Sequence, residues 1–336
     1  MKNKICIIYS HHKLGDLIWQ LPYIEAISEH YKIKVDLIVR SKTQAKKILQ
    51  DVSYINLIFY NEFRKSFFYW IEVLKIFFLL KKNNYTHVYI LDKISRPAIA
   101  ARMAKIPNII GLGIGNQKKW LTNKNYLSEN DKIFLDYSDQ SKKFLELNNI
   151  KISKLYPSLE IKDSSLQEVN FAISNSIEAN VSFGIDSFEE FKIWSENNFL
   201  SLANLIYEHK LASNFYLISH PSNRKYSEKI ISLSPNKIFI DCSHLNLLGI
   251  IKVIKSSKFY VGNNSGPLNL AAALGVKAFG LIAADSTDEL KNSKIDCITP
   301  EGYDKNNFSR DKIVRDRKNM DKLTVDRVFS YILNNL

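Results

Sequence analysis

The chain has 336 residues, 46% of them apolar, long enough for two domains that each bury a core and too apolar for a disordered segment. Its net charge of +13 is uneven: residues 1–165 hold 27 Lys/Arg against 15 Asp/Glu, and residues 166–336 hold 20 against 19. The first half is therefore expected to draw a polyanion, whether nucleic acid, an anionic membrane or a phosphorylated substrate, while Cys6, Cys242 and Cys297, odd in number and far apart, suggest neither a disulfide framework nor a zinc cluster.

Residues 5–9 read as a strand, and the apolar run ahead of His11 is too short for a signal peptide, so a cytoplasmic protein is expected. His11, His12 and Lys13 follow, either solvated or placed to hold phosphate or carboxylate groups. Asp16 opens a helix over residues 17–30. It is either an N-cap or a carboxylate at the carboxyl end of the first strand, where doubly wound sheets bind ligands. A strand at 34–39, a helix at 42–49 and a strand at 55–60 come next. The apolar stretch 67–80 is interrupted by Glu72 and Lys75 and falls short of a membrane span. It is expected to pack as a helix reaching about residue 82, and an exposed aromatic edge of it is suited to a membrane surface. After a strand at 88–91, Arg96 and Arg102 are either anion clamps or a solvated helix face. Gly111-Leu-Gly-Ile-Gly115 is not a dinucleotide fingerprint and is expected to be a flexible loop.

The stretch 155–163, with Pro157, is the expected linker between domains 1–160 and 161–336. The second half restarts the rhythm, with strands at 181–185, 215–219, 237–241, 259–261 and 278–282. Helices are expected near 198–208, 226–231, 246–254 and 268–274. Alternation of this kind predicts an α/β chain with two doubly wound parallel sheets. Val261-Gly-Asn-Asn-Ser-Gly-Pro-Leu-Asn-Leu-Ala-Ala-Ala-Leu-Gly275 is a strand running through a turn into a small-residue helix. Ser265, Gly266 and Pro267 stand at that helix start, with Asn264 or Ser265 as its cap. Free N–H groups and the helix dipole make such a start an anion site, although an ordinary αβ turn has the same spacing.

This segment resembles the donor motif G-N-D-S-G-P-x-H-L-A-A-A of glycosyltransferase family nine, the bacterial lipopolysaccharide heptosyltransferases. Asn264 stands where that motif has Asp, and Asn269 where it has His. Three further segments match in order. Gly15-Asp-Leu-Ile-Trp-Gln-Leu-Pro22 is similar to G-D-x-x-x-x-x-P. His87-Val-Tyr-Ile-Leu-Asp92 with Arg96 is similar to Y-D-x-x-I-D followed by R-S, and Phe191-Lys-Ile-Trp-Ser-Glu-Asn-Asn-Phe199 to K-x-W-P-x-E-x-F.

The resemblance implies the GT-B architecture, two Rossmann-like domains facing a central cleft, the first for the acceptor and the second for a nucleotide-sugar. It implies an inverting, metal-independent transferase with no resident cofactor. The donor would be ADP-heptose and the acceptor an anionic glycolipid such as lipopolysaccharide core, on the inner leaflet of the inner membrane. Asp16 becomes the general base and Lys192 the counter-charge to the leaving diphosphate. Ser187, Leu245, Asn264, Ser265, Gly266, Pro267 and Asn269 fall to the donor, Leu245 against the nucleotide base. His11, His12, Lys13, Arg96 and Arg102 fall to the acceptor. No D-x-D triplet is present to hold a divalent ion. The alternatives are a degenerate relative that binds without transferring or uses another donor, and a basic nucleic-acid-binding protein, which lacks a recognisable reader motif.

Overall fold

The computed structural model describes residues 3–64, 66–167, 169, 171, 173, 179–308 and 316–336. It divides into two compact units, Met1–Ile161 and Lys162–Leu336. In the first, strands β1 (Ile5–Ile8), β2 (Val35–Val39), β3 (Ile55–Tyr60), β4 (His87–Ile90) and β5 (Asn108–Gly111) form a parallel sheet in the order β3-β2-β1-β4-β5. β1 and β2 are buried at every residue, as strands covered on both faces must be, which is why they read as continuous apolar runs. The helices are α1 (Leu14–Tyr31), α2 (Ala45–Ile48), α3 (Tyr69–Asn83), α4 (Arg96–Met103), α5 (Glu129–Phe134) and α6 (Tyr137–Leu147). α1 is buried over most of its surface and ends at Lys32, whose left-handed backbone turns its N–H onto the carbonyls of Ser28 and Glu29.

The order of the sheet reverses at β1. The chain steps outward through β2 and β3, then returns to β4 on the other side. The loops after β1 and β4 therefore part on the carboxyl edge, where open α/β sheets take ligands.

Two expectations need correction here. The helix read over 42–49 is a 3₁₀ turn at Ser41–Thr43 and the short α2, parted by Gln44 in left-handed backbone. The glycine run 111–115 is not a loose loop. Gly111 ends β5, and the fully buried Gln117 accepts the Gly113 N–H at 2.9 Å while donating to the Asp92 and Ile94 carbonyls at 2.8 and 2.9 Å.

In the second unit β6 (Asn180–Gly184), β7 (Asn214–Ile218), β8 (Phe239–Asp241), β9 (Ser257–Asn263), β10 (Lys277–Leu281) and β11 (Ile295–Ile298) are parallel in the order β11-β10-β9-β6-β7-β8. The helices are α7 (Glu196–Glu208), α8 (Arg224–Leu233), α9 (Leu247–Lys255), α10 (Gly266–Ala273), α11 (Lys318–Asp321) and α12 (Val325–Asn335). The reversal here lies between β6 and β9. Gly184 and Gly262 face each other across that pair, and a Cβ on Gly184 would stand 1.6 Å from the Tyr260 hydroxyl. α12, which the sequence reading passed over, buries Val328, Phe329 and Ile332 in the core beside α7.

Candidate active site

The carboxyl edge of the first sheet is held by Asp92, buried to 3% exposure. Its Oδ2 accepts the Ser10 N–H at 2.6 Å and its Oδ1 the Ile94 N–H at 3.0 Å, so one carboxylate braces the loops after β1 and β4. Burial pushes this carboxyl above its ordinary range despite those bonds. From the end of β2, Arg40 donates through Nε to the Ser10 carbonyl, its guanidinium 5.8 Å from the Phe63 ring centre. Phe63 has φ 49°, held by the Asn61 and buried Glu72 carboxamide and carboxylate oxygens that accept its N–H at 3.0 and 3.1 Å. For a bulky residue that conformation costs about 1–3 kcal/mol, repaid by the surrounding contacts.

On this frame His11 stacks on Tyr9 at 4.9 Å, meets Tyr137 edge-on at 4.5 Å, and brings Nδ1 to 3.5 Å from Asp16 Oδ2. Asp16 is not the N-cap. Lys13 occupies that position, and Asp16 lies in the first turn of α1, at the positive end of the helix dipole. The His12 pKa is lowered by partial burial and by Arg40, Lys13 and Lys42, with Asp16 opposing them. One carboxylate thus sits within a cationic rim.

Arg40 belongs to that rim and escaped the sequence reading. The available signal was its place directly after a strand that neighbours β1. Arg96 opens α4 but is buried, its guanidinium donating to the Arg64 carbonyl and lying over the Tyr69 ring at 5.4 Å. Arg102 is exposed in the last turn of α4, about 9 Å along the axis from Arg96, so the two do not form one clamp.

In the second unit Trp194 is buried, with its N–H on Asn263 Oδ1 at 2.9 Å and its indole N–H on the Leu323 carbonyl at 2.7 Å. This anchor fixes the preceding 3₁₀ turn Glu190–Lys192 and presents Lys192. Lys192 is not solvated: its Nζ lies 2.6 Å from Glu189 Oε2 and 3.0 Å from Asp285 Oδ2. Burial works against its charge, but Asp285 and Glu189 outweigh burial and hold its pKa above the ordinary lysine value. Asn264 Nδ2 donates to the same Asp285 oxygen at 2.8 Å, and Ser187 Oγ donates to the Asn264 carbonyl at 3.3 Å.

Ser265 stands at the cap of α10 in extended backbone without a side-chain capping bond, and Gly266 and Pro267 fill the first turn. The helix start so keeps N–H groups and dipole for an anion. Asn269 turns back, its Nδ2 donating to the Ser265 carbonyl at 3.1 Å. Leu245 is half-buried on the loop between β8 and α9. Asp285, like Arg40, escaped the sequence reading. It follows β10, and its carbonyl accepts the Tyr303 hydroxyl at 2.6 Å. Among the described residues no group of three His, Cys, Asp or Glu is placed to hold a metal ion, and no helix is long and apolar enough to cross a membrane.

A family model described as glycosyltransferase family 9 (heptosyltransferase) matches residues 73–314. The chain is 24% identical over 232 residues to lipopolysaccharide heptosyltransferase 1 of Campylobacter coli, an alignment covering 64% of this chain and 66% of that one, just under two thirds of the relative's length. In fold it is similar to the E. coli ADP-heptose lipopolysaccharide heptosyltransferase II, with TM-score 0.78 and 15% identity over 98% of both chains. It is also similar to a family 9 glycosyl transferase from Veillonella parvula, with TM-score 0.80 and 15% identity over 99% of this chain and 97% of that one. These likenesses place the fold among GT-B heptosyltransferases.

Proposed function

Because the chain belongs to glycosyltransferase family 9, the heptosyltransferases, we propose that it transfers heptose from ADP-heptose to an anionic, membrane-borne glycolipid such as lipopolysaccharide core, with inversion and without a metal ion. The observation that carries this reading is the meeting of Lys192, Asn264 and Asp285 beside the start of α10, on one carboxyl edge of the second sheet. The names of the Campylobacter lipopolysaccharide heptosyltransferase 1 and the E. coli ADP-heptose lipopolysaccharide heptosyltransferase II support the choice of sugar and acceptor.

In this reading the acceptor hydroxyl oxygen attacks the anomeric carbon as the bond from that carbon to the β-phosphate oxygen breaks. The electron pair leaves with ADP, whose growing charge is met by Lys192 and by the N–H groups at Ser265, Gly266 and Leu268. Pre-set donors of this kind stabilise a transition state without reorganising. Ser187 and Asn269 shape the turn, and Leu245 lies against the base. The acceptor proton passes to Asp16, beside His11, while His12, Lys13, Arg40 and Arg102 receive the acceptor's anionic groups. Arg96, spent on Arg64 and Tyr69, shapes the loop.

ADP, UDP, GDP and CMP are tested by thermal shift with and without magnesium. ADP is expected to raise Tm without the metal, and Lys192→Ala to abolish most of the rise. A protein indifferent to all four nucleotides overturns the reading. Asp16→Asn is expected to keep the ADP shift while transfer falls by about two or more powers of ten. A second reading, a relative that binds but does not transfer, is favoured by Asn264 and Asn269 in the donor motif. It is the outcome if the parent protein shows the ADP shift and no turnover.

A further inference from the structure

α3 carries two opposed apolar faces. Val73, Ile76 and Leu80 are buried in the core of the first unit. On the other side Phe67, in the turn before the helix, is 86% exposed, Trp70 62% and Phe78 64%, with Ile71 and Leu74 exposed between them. Steps of three and four residues, 67 to 71 to 74 to 78 and 70 to 74 to 78, align these side chains along about 16 Å of one face. Solvent gains nothing from five large apolar groups in a row, and such a contiguous patch marks a docking surface.

The charges choose the occupant. Arg64, Lys75, Lys81 and Lys82 are exposed around the patch. The one acid of α3, Glu72, is turned inward, 1% exposed, accepting the Phe63 N–H at 3.1 Å and pairing with Lys75 at 3.4 Å, which leaves Arg64, Lys81 and Lys82 as the stronger cations of the rim. The face therefore presents aromatic and aliphatic groups rimmed by cations, with no carboxylate of its own helix, in the half of the chain that holds the excess of basic residues. We propose that this face of α3 docks the protein on an anionic lipid surface, its aromatic groups entering the headgroup boundary and its lysines meeting the lipid phosphates. A protein partner would be chosen by complementary polar groups at the rim, and the uniform positive sign suits a bilayer better. The inference stands on the helix alone, so its failure leaves the transferase reading intact.

The full chain is sedimented with phosphatidylcholine vesicles, with and without phosphatidylglycerol. Binding is expected only with the anionic lipid, weakening as salt rises because exposed charges are screened over about 8 Å at physiological ionic strength. Trp70→Ser with Phe78→Ser changes two exposed positions, and an unchanged melting temperature and ADP shift confirm that the variant is folded. It is expected to lose about tenfold or more of the vesicle affinity, since both rings leave water when the face inserts. Lys81→Glu with Lys82→Glu is expected to lose binding to the anionic vesicles as well. Equal sedimentation of parent and both variants overturns the proposal. So does a parent that ignores vesicles but forms a dimer that the Trp70→Ser, Phe78→Ser variant abolishes, which would assign the face to a second copy.

Discussion

Lys192 and Asn264 end on the same oxygen of Asp285, at 3.0 and 2.8 Å, and that shared oxygen decides what a change at position 264 means. The family motif has Asp there, and the sequence alone shows only that a charge is missing. The structure shows Asn264 as a donor to a carboxylate supplied by the next loop. Restoring the motif with Asn264→Asp would set two carboxylates within about 3 Å, where both cannot stay ionised at neutral pH. ADP affinity, measured by titration calorimetry, is expected to fall about tenfold or more. Combining Asn264→Asp with Asp285→Asn keeps the charge count and the donor–acceptor pair, and is expected to recover most of the loss. If the single variant binds as the parent does, the two positions are not coupled. Ser265, Gly266 and Pro267 were placed at a helix start by local spacing, and Lys192 was singled out by the resemblance to the family motif. Asp285 was not, because only the pairing of β10 with β9 brings it alongside.

Elements with a strong local signal were read within a few residues, β1, β2, β3 and α7 among them. The elements missed have different causes. β5 and β11 are four-residue strands at the edges of their sheets, and α12 carries a Thr324 cap and apolar residues at 325, 328, 329 and 332 that were there to be read. α5 and α6 are held by Asp131. With Ser128 it forms a capping box, Oδ2 accepting the Ser128 N–H at 2.9 Å, and its Oδ1 lies 2.6 Å from Lys143 Nζ on α6. Lys143 first, then Ser128, lower its pKa to about 2. An unfolded aspartate titrates near about 3.9, so this group's contribution is complete above about pH 5 and is lost as pH falls through 4 toward 2. Asp131→Asn is expected to melt below the parent at pH 7 and to converge with it near pH 2. A constant Tm difference across that range would show that the charge is not what matters.

At the scale of the whole chain, two parallel α/β units were legible in the alternation of short strands and helices, and the uneven charge was legible by counting. The residues that meet on each carboxyl edge were less so, because strand order cannot be read from chain order. If the donor binds in the second unit, as proposed, its footprint is local. ADP is expected to slow amide exchange in the loops after β6, β9 and β10, while the α1 start and the loop after β4 change only when acceptor is also present. Protection spread equally over both units would contradict that division of labour.

The sheets have one more property: each is built wholly from its own side of the Ile161–Lys162 boundary, and among the described residues no strand crosses it. Domains generally fold as units in the order they are made, so the first unit is expected to fold ahead of the second. If it does so before the second unit is made, a nascent chain already offers the α3 face. If that face seeks lipid, the ribosome-bound protein reaches the bilayer before its nucleotide site exists, and its address is settled ahead of its chemistry.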